Sequence, residues 1–569
     1  MFLKKDKRAN GKTYLTIIKG YRDPVTKKSR NKSVMKVGYL EDLLDQYEDP
    51  IAHFEEVAAR LTEEERLANL PLSFTFDSKE VIKSNVVNRK NLGYVVLSHF
   101  YHNLKIHEFW NNRQKTSGTD FLLNHVFQLL VFTRSLYPSS KKASFDYINS
   151  FFTKFDFSLH DVYRALSKFY PYKDDLILWI HQNIIQYYGR DLSKVYYDVT
   201  NYYFEIPYED DFRKRGVSKE HRPNPIIQMG LLMDNSGIPI SYELFEGNTN
   251  DSITLMPSLN KLKKHFNLGK VIVVADKAMN SGENMAYNII KGNGYIFSGS
   301  VRGASRELKD FVLDQTGYSD NSDEFKIKSR IVPQDIWVTD IHNKRKKVPI
   351  DQKQVVFYSE KYAKKSRMDR ERTILKTLKL IEKGIDRPNS SAYKYIKKEF
   401  IDLETGEILK TKKNDFLDIQ KIKEEEKYDG YYIINTSELD MKDMDIVQAY
   451  HGLWKIEESF KITKSQLEAR PVYLSRKDRI ESHFLICFVT LVLLRLLEKD
   501  LDGSNISIEK AIEEMREITG THLDENYYMF DCFNEIIEKL GQTVGVDFSK
   551  RFITVAEIDS LISGVKKGL

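Results

Sequence analysis

The stretch Val447–Arg470, VQAYHGLWKIEESFKITKSQLEAR, decides how the rest of the chain is understood. It holds no Pro and one Gly, and its apolar residues Leu453, Ile456, Phe460 and Leu467 recur at helical spacing. The pattern predicts one helix. Tyr450, Leu453, Glu457, Lys461 and Lys464 follow at offsets of three or four, so on that helix they share a face. An acid followed by two lysines on a helix is by default an ordinary solvated surface. Its company changes that weight. Two apolar strands upstream each end at an aspartate, VYYDVT at Asp198 and VIVVAD at Asp276. Three carboxylates on strand, strand and helix, in that order, can converge on divalent metal ions.

A chain of 569 residues is too long for one core, and roughly two to four domains are expected. With 41% hydrophobic and 12% aromatic residues it is not a disordered protein. The net charge of +6 decides little, but its distribution says more. Residues 1–40 carry twelve Lys/Arg against two Asp/Glu, and residues 41–80 carry three against twelve. A basic leader before an acidic block fits a segment that touches nucleic acid, or two patches that partly neutralise each other. Cys487 and Cys532 stand far apart with no C-x-x-C, so structural zinc is not expected and a reducing compartment is. The N-terminus lacks a signal-peptide core. The most apolar run, Phe484–Leu497, is shorter than a membrane span and is interrupted by Arg495, so it reads as a helix buried in protein. The chain is expected to be soluble and intracellular.

Residues 1–70 read as a basic β-hairpin around DPVTKK followed by an acidic helical segment. Residues 71–187 read as a helical domain, and Lys141, Lys142, Lys154 and Lys168 make it a candidate DNA-binding surface. At Lys194 the period changes. KVYYDVTNYYF is a strand, a hairpin turns at Asn235-Ser236-Gly237, and a helix spans 250–266. KVIVVAD then reads as a strand buried on both faces, with a helix and the strand YIFSGS after it. Strand, crossover helix and strand make a mixed α/β sheet, so 188–299 is the first part of a catalytic core. Residues 300–428 break that rhythm with dense charge and strand-like pieces, and read as an inserted, mostly β subdomain. The core resumes over 429–500 through DGYYIINTS and the helix of Glu457; 501–569 is a C-terminal helical region with no assigned role.

Cleaving a phosphodiester requires a deprotonated nucleophile, a neutralised phosphorus and a stabilised leaving oxygen. Two Mg²⁺ ions about 3.5–4 Å apart meet all three needs. Mg²⁺ takes hard oxygen ligands, which three acids supply. On this reading Asp198 bridges both ions, and Asp276 and Glu457 each hold one.

These motifs resemble the DDE transposases of bacterial insertion sequences, in the branch with the signature Tyr-x2-Arg-x3-Glu-x6-Lys. Tyr450, Glu457 and Lys464 match at their spacings, and Leu453 stands where the signature has arginine. Lys455 and Lys461 are the candidates for the phosphate contact that Leu453 cannot make. YYDVTNYYFE, GVSKEHRPNPIIQMGLLMDNSGIPISYELFEGNTND, VIVVADKAMNSGEN and SQLEARPVYLSRKDRIESHFLICF are similar too, so the resemblance covers roughly 190–300 and 430–500. It implies a ribonuclease H-like core with an insertion between Asp276 and Glu457. It also implies Mg²⁺-dependent cleavage at element ends (two ions, Mn²⁺ as a substitute) and strand transfer into target DNA. Terminal inverted repeats and target DNA are the implied partners, with a homodimer in the synaptic complex. Tyr450 and Lys464, with Lys461 beside them, are the implied phosphate contacts.

Other residues carry two readings each. Asn248 and Asp251 either support the acids or shape a turn and cap. Trp454 either stacks on an unpaired base or packs in the core. Lys219, His221 and Arg222 either contact DNA or form a solvated loop. His265, His451 and His483 lack metal-ligand spacing and are expected to be structural. Two other functions remain open: a catalytically inactive or domesticated DNA-binding relative, to which Leu453 points, and a plain ribonuclease H-like nuclease.

Overall fold

The computed structural model describes residues 1–569 apart from 9–10, 23–27, 45–46, 48, 69–78, 80, 82–85, 267–268, 323, 341, 384–390, 402–407, 524–525 and 568–569. The chain forms two units, Met1–Val86 and Val87–Leu569. In the first, the expected hairpin is Thr13–Arg22 paired antiparallel with Ser29–Tyr39, and Phe2–Lys7 adds a third strand. Most of the DPVTKK turn, 23–27, lies outside the described residues. Leu15 and Ile17, two apart on the middle strand, point to one face and meet Ala58, Phe54 and Leu61 of the helix Pro50–Ala68. Lys5 pairs with Glu55 and Lys12 with Asp42, each at 2.9 Å, so the basic sheet and the acidic segment partly neutralise each other.

In the second unit the segment 94–188 is helical and includes α1 (Leu123–Leu136), α2 (Lys141–Asp146) and α3 (Leu159–Phe169). A nine-stranded sheet follows. Its members are β1 (Lys194–Tyr203), β2 (Ile226–Asp234), β3 (Pro239–Glu246), β4 (Ile272–Ala275), β5 (Gly294–Gly299), β6 (Ser319–Ser322), β7 (Phe325–Thr339), β8 (Arg345–Ser359) and β9 (Tyr431–Thr436). Their spatial order is β6-β7-β8-β9-β5-β4-β1-β2-β3. β1, β2 and β3 are antiparallel neighbours, and β1, β4 and β5 run parallel. The helices α4 (Asp251–Phe266) and α5 (Gly282–Ile290) make the connections that parallel neighbours need. This half of the sheet has the ribonuclease H-like arrangement that the motifs imply.

The insertion does not stand apart. β8 pairs antiparallel with β9, and β9 with β5, so the inserted strands lengthen the core sheet. Val355, Val356 and Phe357 of β8 are fully buried, and a strand covered on both faces needs partners on both edges. The charged run after it is one helix, α6 (Glu360–Glu382).

Beyond β9 come α7 (Asp443–His451), α8 (Trp454–Lys461) and α9 (Lys477–Asp500). α9 is apolar on every side and buried from Phe484 to Leu497, as such a helix must be. It is long and apolar enough to cross a membrane, yet its apolar window lies wholly inside the protein. α1, α3 and β3 pack around it. The helices of 94–188, the face of the sheet beneath α9 and the apolar residues of 508–565 share that one core. Arg89–Asn91 pairs with Thr519–His522, closing the C-terminal region onto the start of the unit. The segments 71–187 and 501–569 are therefore not bodies of their own where they are described; from Val87 onward they belong to one compact unit.

Candidate active site

β1 alternates its side chains between two layers. Val195, Tyr197 and Val199 enter the core beneath α4, while Tyr196 and Tyr202 face the core of α9. Period 2 puts Asp198 on the second face. It is an interior strand residue opposite Leu231, not a turn cap at a strand end. Tyr197 is in register with Ala275 of parallel β4, so the next residues, Asp198 and Asp276, are lateral neighbours. Adjacent strands lie about 4.8 Å apart. Asp276 does not use its side chain to cap the turn that follows. Its Oδ1 instead accepts hydrogen bonds from Ser298 Oγ of β5 at 2.8 Å and from the Tyr450 hydroxyl at 3.4 Å.

The helix expected over Val447–Arg470 is interrupted twice. α7 ends at His451, and α8 begins at Trp454 after Gly452. A Cβ on Gly452 would overlap the ring and hydroxyl of Tyr196, so glycine allows the helix joint to sit directly on β1. α8 then passes into a π turn, Ile462–Gln466, which breaks the 3.6-residue period. Arg495 of α9 anchors α8 from behind, donating to Ser459 Oγ at 2.7 Å and to Lys455 O at 3.0 Å. Ile456 and Phe460 turn inward, and Glu457 faces out.

Asp198, Asp276, Glu457 and Tyr450 line one cavity of about 930 Å³. Lys461 and Lys464 do not. Lys461 reaches Glu509 at 3.2 Å, and Lys464 turns to Glu220 at 3.2 Å over the ring of Tyr202. Of the five signature positions predicted on one face, only Tyr450, Leu453 and Glu457 line the cavity: Lys461, still on regular α8, is drawn off by Glu509, and Lys464 lies within the π turn. Leu453 is buried in the cavity wall. Neither expected substitute for the signature arginine lines the cavity: Lys455 donates to Asn235 O at 2.7 Å, and Lys461 is the residue held by Glu509. Lys277, Arg302, Lys361 and Lys365 line it instead. Sequence reasoning missed these four. The available signals were a lysine next to Asp276 and the i, i+4 spacing of Lys361 and Lys365 in α6.

The remaining candidates divide. Asn250, not Asp251, accepts the backbone N–H at the start of α4. The Asp251 carboxyl is pushed up by burial and drawn back by Lys219, and it adds to the field on Asp198. Lys219 donates to Val199 O beside Asp198, and Arg222 lies 4.3 Å over the ring of Tyr203. Trp454 is 57% exposed at the cavity rim, so it is not a core residue. His483 is buried and held well below its ordinary pKa by desolvation, while His451 packs edge-on to Phe357. The side chain of His265 lies outside the described residues.

Among the described residues no three His, Cys, Asp or Glu side chains close into a ready-made metal cage. The chemistry of the donor set nevertheless fits a divalent cation. The Asp198 carboxyl is pushed up to about 6, chiefly by burial with smaller contributions from Asp276 and Asp251, against the opposing pull of Lys219 and the Val199 N–H. Hard oxygens short of positive charge are what such an ion satisfies.

A family model described as "Transposase DDE domain" matches residues 204–493, a span that begins just after Asp198 and contains Asp276 and Glu457. A second, "IS1634 family transposase, N-terminal domain", matches residues 3–69. No curated protein matches. Among solved structures, the chain is similar to a piggyBac transposase synaptic complex with hairpin DNA, at 11% identity and TM-score 0.36, over 74% of this chain and 80% of that one. A Mos1 transposase paired-end complex is matched at 11% identity and TM-score 0.14, over 42% of this chain and 66% of that one. Because the first family model spans more than half of the sequence, and includes the sheet from β2 onward, α8 and most of α9, the chain belongs to the DDE transposases of insertion sequences.

Proposed function

We propose that Asp198, Asp276 and Glu457 are the metal-holding acids of this DNA transposase, which nicks the ends of its own element and joins them to target DNA. Membership of the family implies use of a divalent metal. Support for the three residues comes from one observation: carboxylates from β1, β4 and α8 line the same cavity. Two Mg²⁺ ions, or Mn²⁺ in their place, supply there the lowered water or hydroxyl pKa and the charge neutralisation that phosphoryl transfer needs. Asp198, between the other two acids, would be shared by both ions, with Asp276 and Glu457 as the flanking ligands. Ser298 and Tyr450 fix the orientation of Asp276. Lys277, Lys361 and Lys365 meet phosphate oxygens as point charges, the role that Leu453 leaves open. Lys464 reaches a phosphate only by releasing Glu220, and Lys461 only by releasing Glu509. Two ends must be held at once, so the working form is a homodimer on paired terminal inverted repeats. The site of action is the bacterial cytosol.

Strand transfer tests this reading. Pre-cleaved element ends and a target plasmid with Mg²⁺ should give joined product, and a chelator should stop it. Hydrolysis without joining would favour a plain nuclease; end binding with neither activity would favour an inactive relative. Binding should also weaken with salt as counterions are released.

Trp454 adds a smaller prediction. Its indole is exposed, so Trp454→Ala should change stability by about 0.5 kcal/mol or less. If the ring stacks on a base, the same variant should weaken binding to an end carrying an unpaired base by about 1–3 kcal/mol. Equal affinity for paired and unpaired ends in both proteins would remove that role.

A further inference from the structure

A second cavity, of about 170 Å³, lies between α1, α2, the crossover of residues 467–474 and α9. Three cations line it, Lys141, Arg134 and Arg470, and the first two are buried, at 5% and 3% exposure. Neither forms an ion pair among the described residues. Arg134 donates to the carbonyls of Leu467 at 3.1 Å and Ser139 at 2.8 Å, and its Nε has no partner among the described residues. Lys141 Nζ meets only His483 Nδ1, at 3.2 Å, and the other ring nitrogen of His483 faces Ala469 O at 3.1 Å. Arg470 lines the same cavity and is held by Glu220.

Glu468 also lines the cavity but pairs with neither of these two cations among the described residues. Two buried cations without an ion-pair partner are costly, and proteins as a rule pair such groups. Desolvation and the neighbouring guanidinium hold Lys141 well below its ordinary pKa. An incoming anion would offset both effects. The volume matters as well. At about 30 Å³ per water, the space equals roughly six waters, enough for one tetrahedral oxyanion. The cavity wall is also the direct continuation of α8 through the π turn, so the segment carrying Glu457 carries this site too.

We propose that this cavity is a phosphate subsite, in which Lys141 and Arg134 take one backbone phosphodiester of the bound DNA outside the cavity of the acids. The assignment to DNA rests on the chain being a DNA transposase; the phosphate chemistry rests on the two cations alone.

The test is a binding measurement on the full chain with a duplex bearing the element's terminal repeat, titrated across salt concentrations. Lys141→Met should lower affinity about tenfold and reduce the slope of log affinity against log salt by about 0.9, the value for one lost phosphate contact. Lys141→Arg should restore both. Thermal unfolding checks the fold, and Lys141→Met should keep or raise Tm because it removes an unpaired buried cation. Unchanged affinity and slope in a folded Lys141→Met protein would overturn the proposal. A Tm rise with inorganic phosphate, seen in wild type and lost in Lys141→Met while DNA binding stays equal, would assign the site to free phosphate and overturn the DNA part. The readout is binding, so a protein that binds ends without cutting them counts against the acids and leaves this test standing.

Discussion

Asp198→Asn, Asp276→Asn and Glu457→Gln should each abolish end cleavage while leaving end binding within a few-fold of wild type. A metal held at the scissile phosphate contributes several kcal/mol to the transition state. At 1.36 kcal/mol per tenfold, losing a ligand that holds it costs on the order of 10³-fold or more. Ser298→Ala should be milder, about 10–100-fold, since it loosens Asp276 without removing the carboxylate. Stability gives an independent readout. Burial raises the Asp198 carboxyl to about 6, so ionised Asp198 weakens the metal-free fold at neutral pH. Asp198→Asn should therefore keep or raise Tm without metal, and should lose the rise that Mg²⁺ or Mn²⁺ gives the wild type. Retained cleavage in any one variant would remove that residue from the set.

Gly452→Ala should damage both stability and activity, although the backbone conformation there is ordinary helical and suits any residue. The constraint is space. The new methyl would overlap the Tyr196 ring, and overpacking of this kind costs about 1–3 kcal/mol. Relief requires α8 to lift off β1, which moves Glu457 away from Asp198. A displacement of about 1 Å at such a site costs about 10²-fold in rate. Tyr196→Ala in the Gly452→Ala background should restore part of the cleavage by vacating the contested volume. A single variant with wild-type Tm and wild-type cleavage would show that the joint is not tight.

Much of the core was legible because its signals are local. β1 and β4 announce themselves as apolar runs, and a run's alternation says which side chains share a layer. The apolar stretch of α9 likewise has no stable place but the interior. Arg495, noted only as an interruption, has a purpose invisible in the chain: it hydrogen-bonds back to α8. The inserted segment misled differently. Its strand-like pieces were recognisable, yet nothing local says that β8 pairs with β9 and extends the core sheet.

The chain order of the acids, and the type of element carrying each, followed from residue patterns alone, since periods of 2 and 3.6 need only near neighbours. Where those patterns were carried past a backbone irregularity, they failed. Lys464 belongs to the signature by spacing, but the Ile462–Gln466 π turn rotates it toward Glu220. The cations that do line the acid cavity, Lys277, Arg302, Lys361 and Lys365, come from segments far from α8 in sequence. Only strand pairing between distant parts of the chain brings them there. Long-range pairing has no period to betray it, and so the elements carrying Asp198, Asp276 and Glu457 were legible, while the gathering of cations from separate segments around the cavity they line was not.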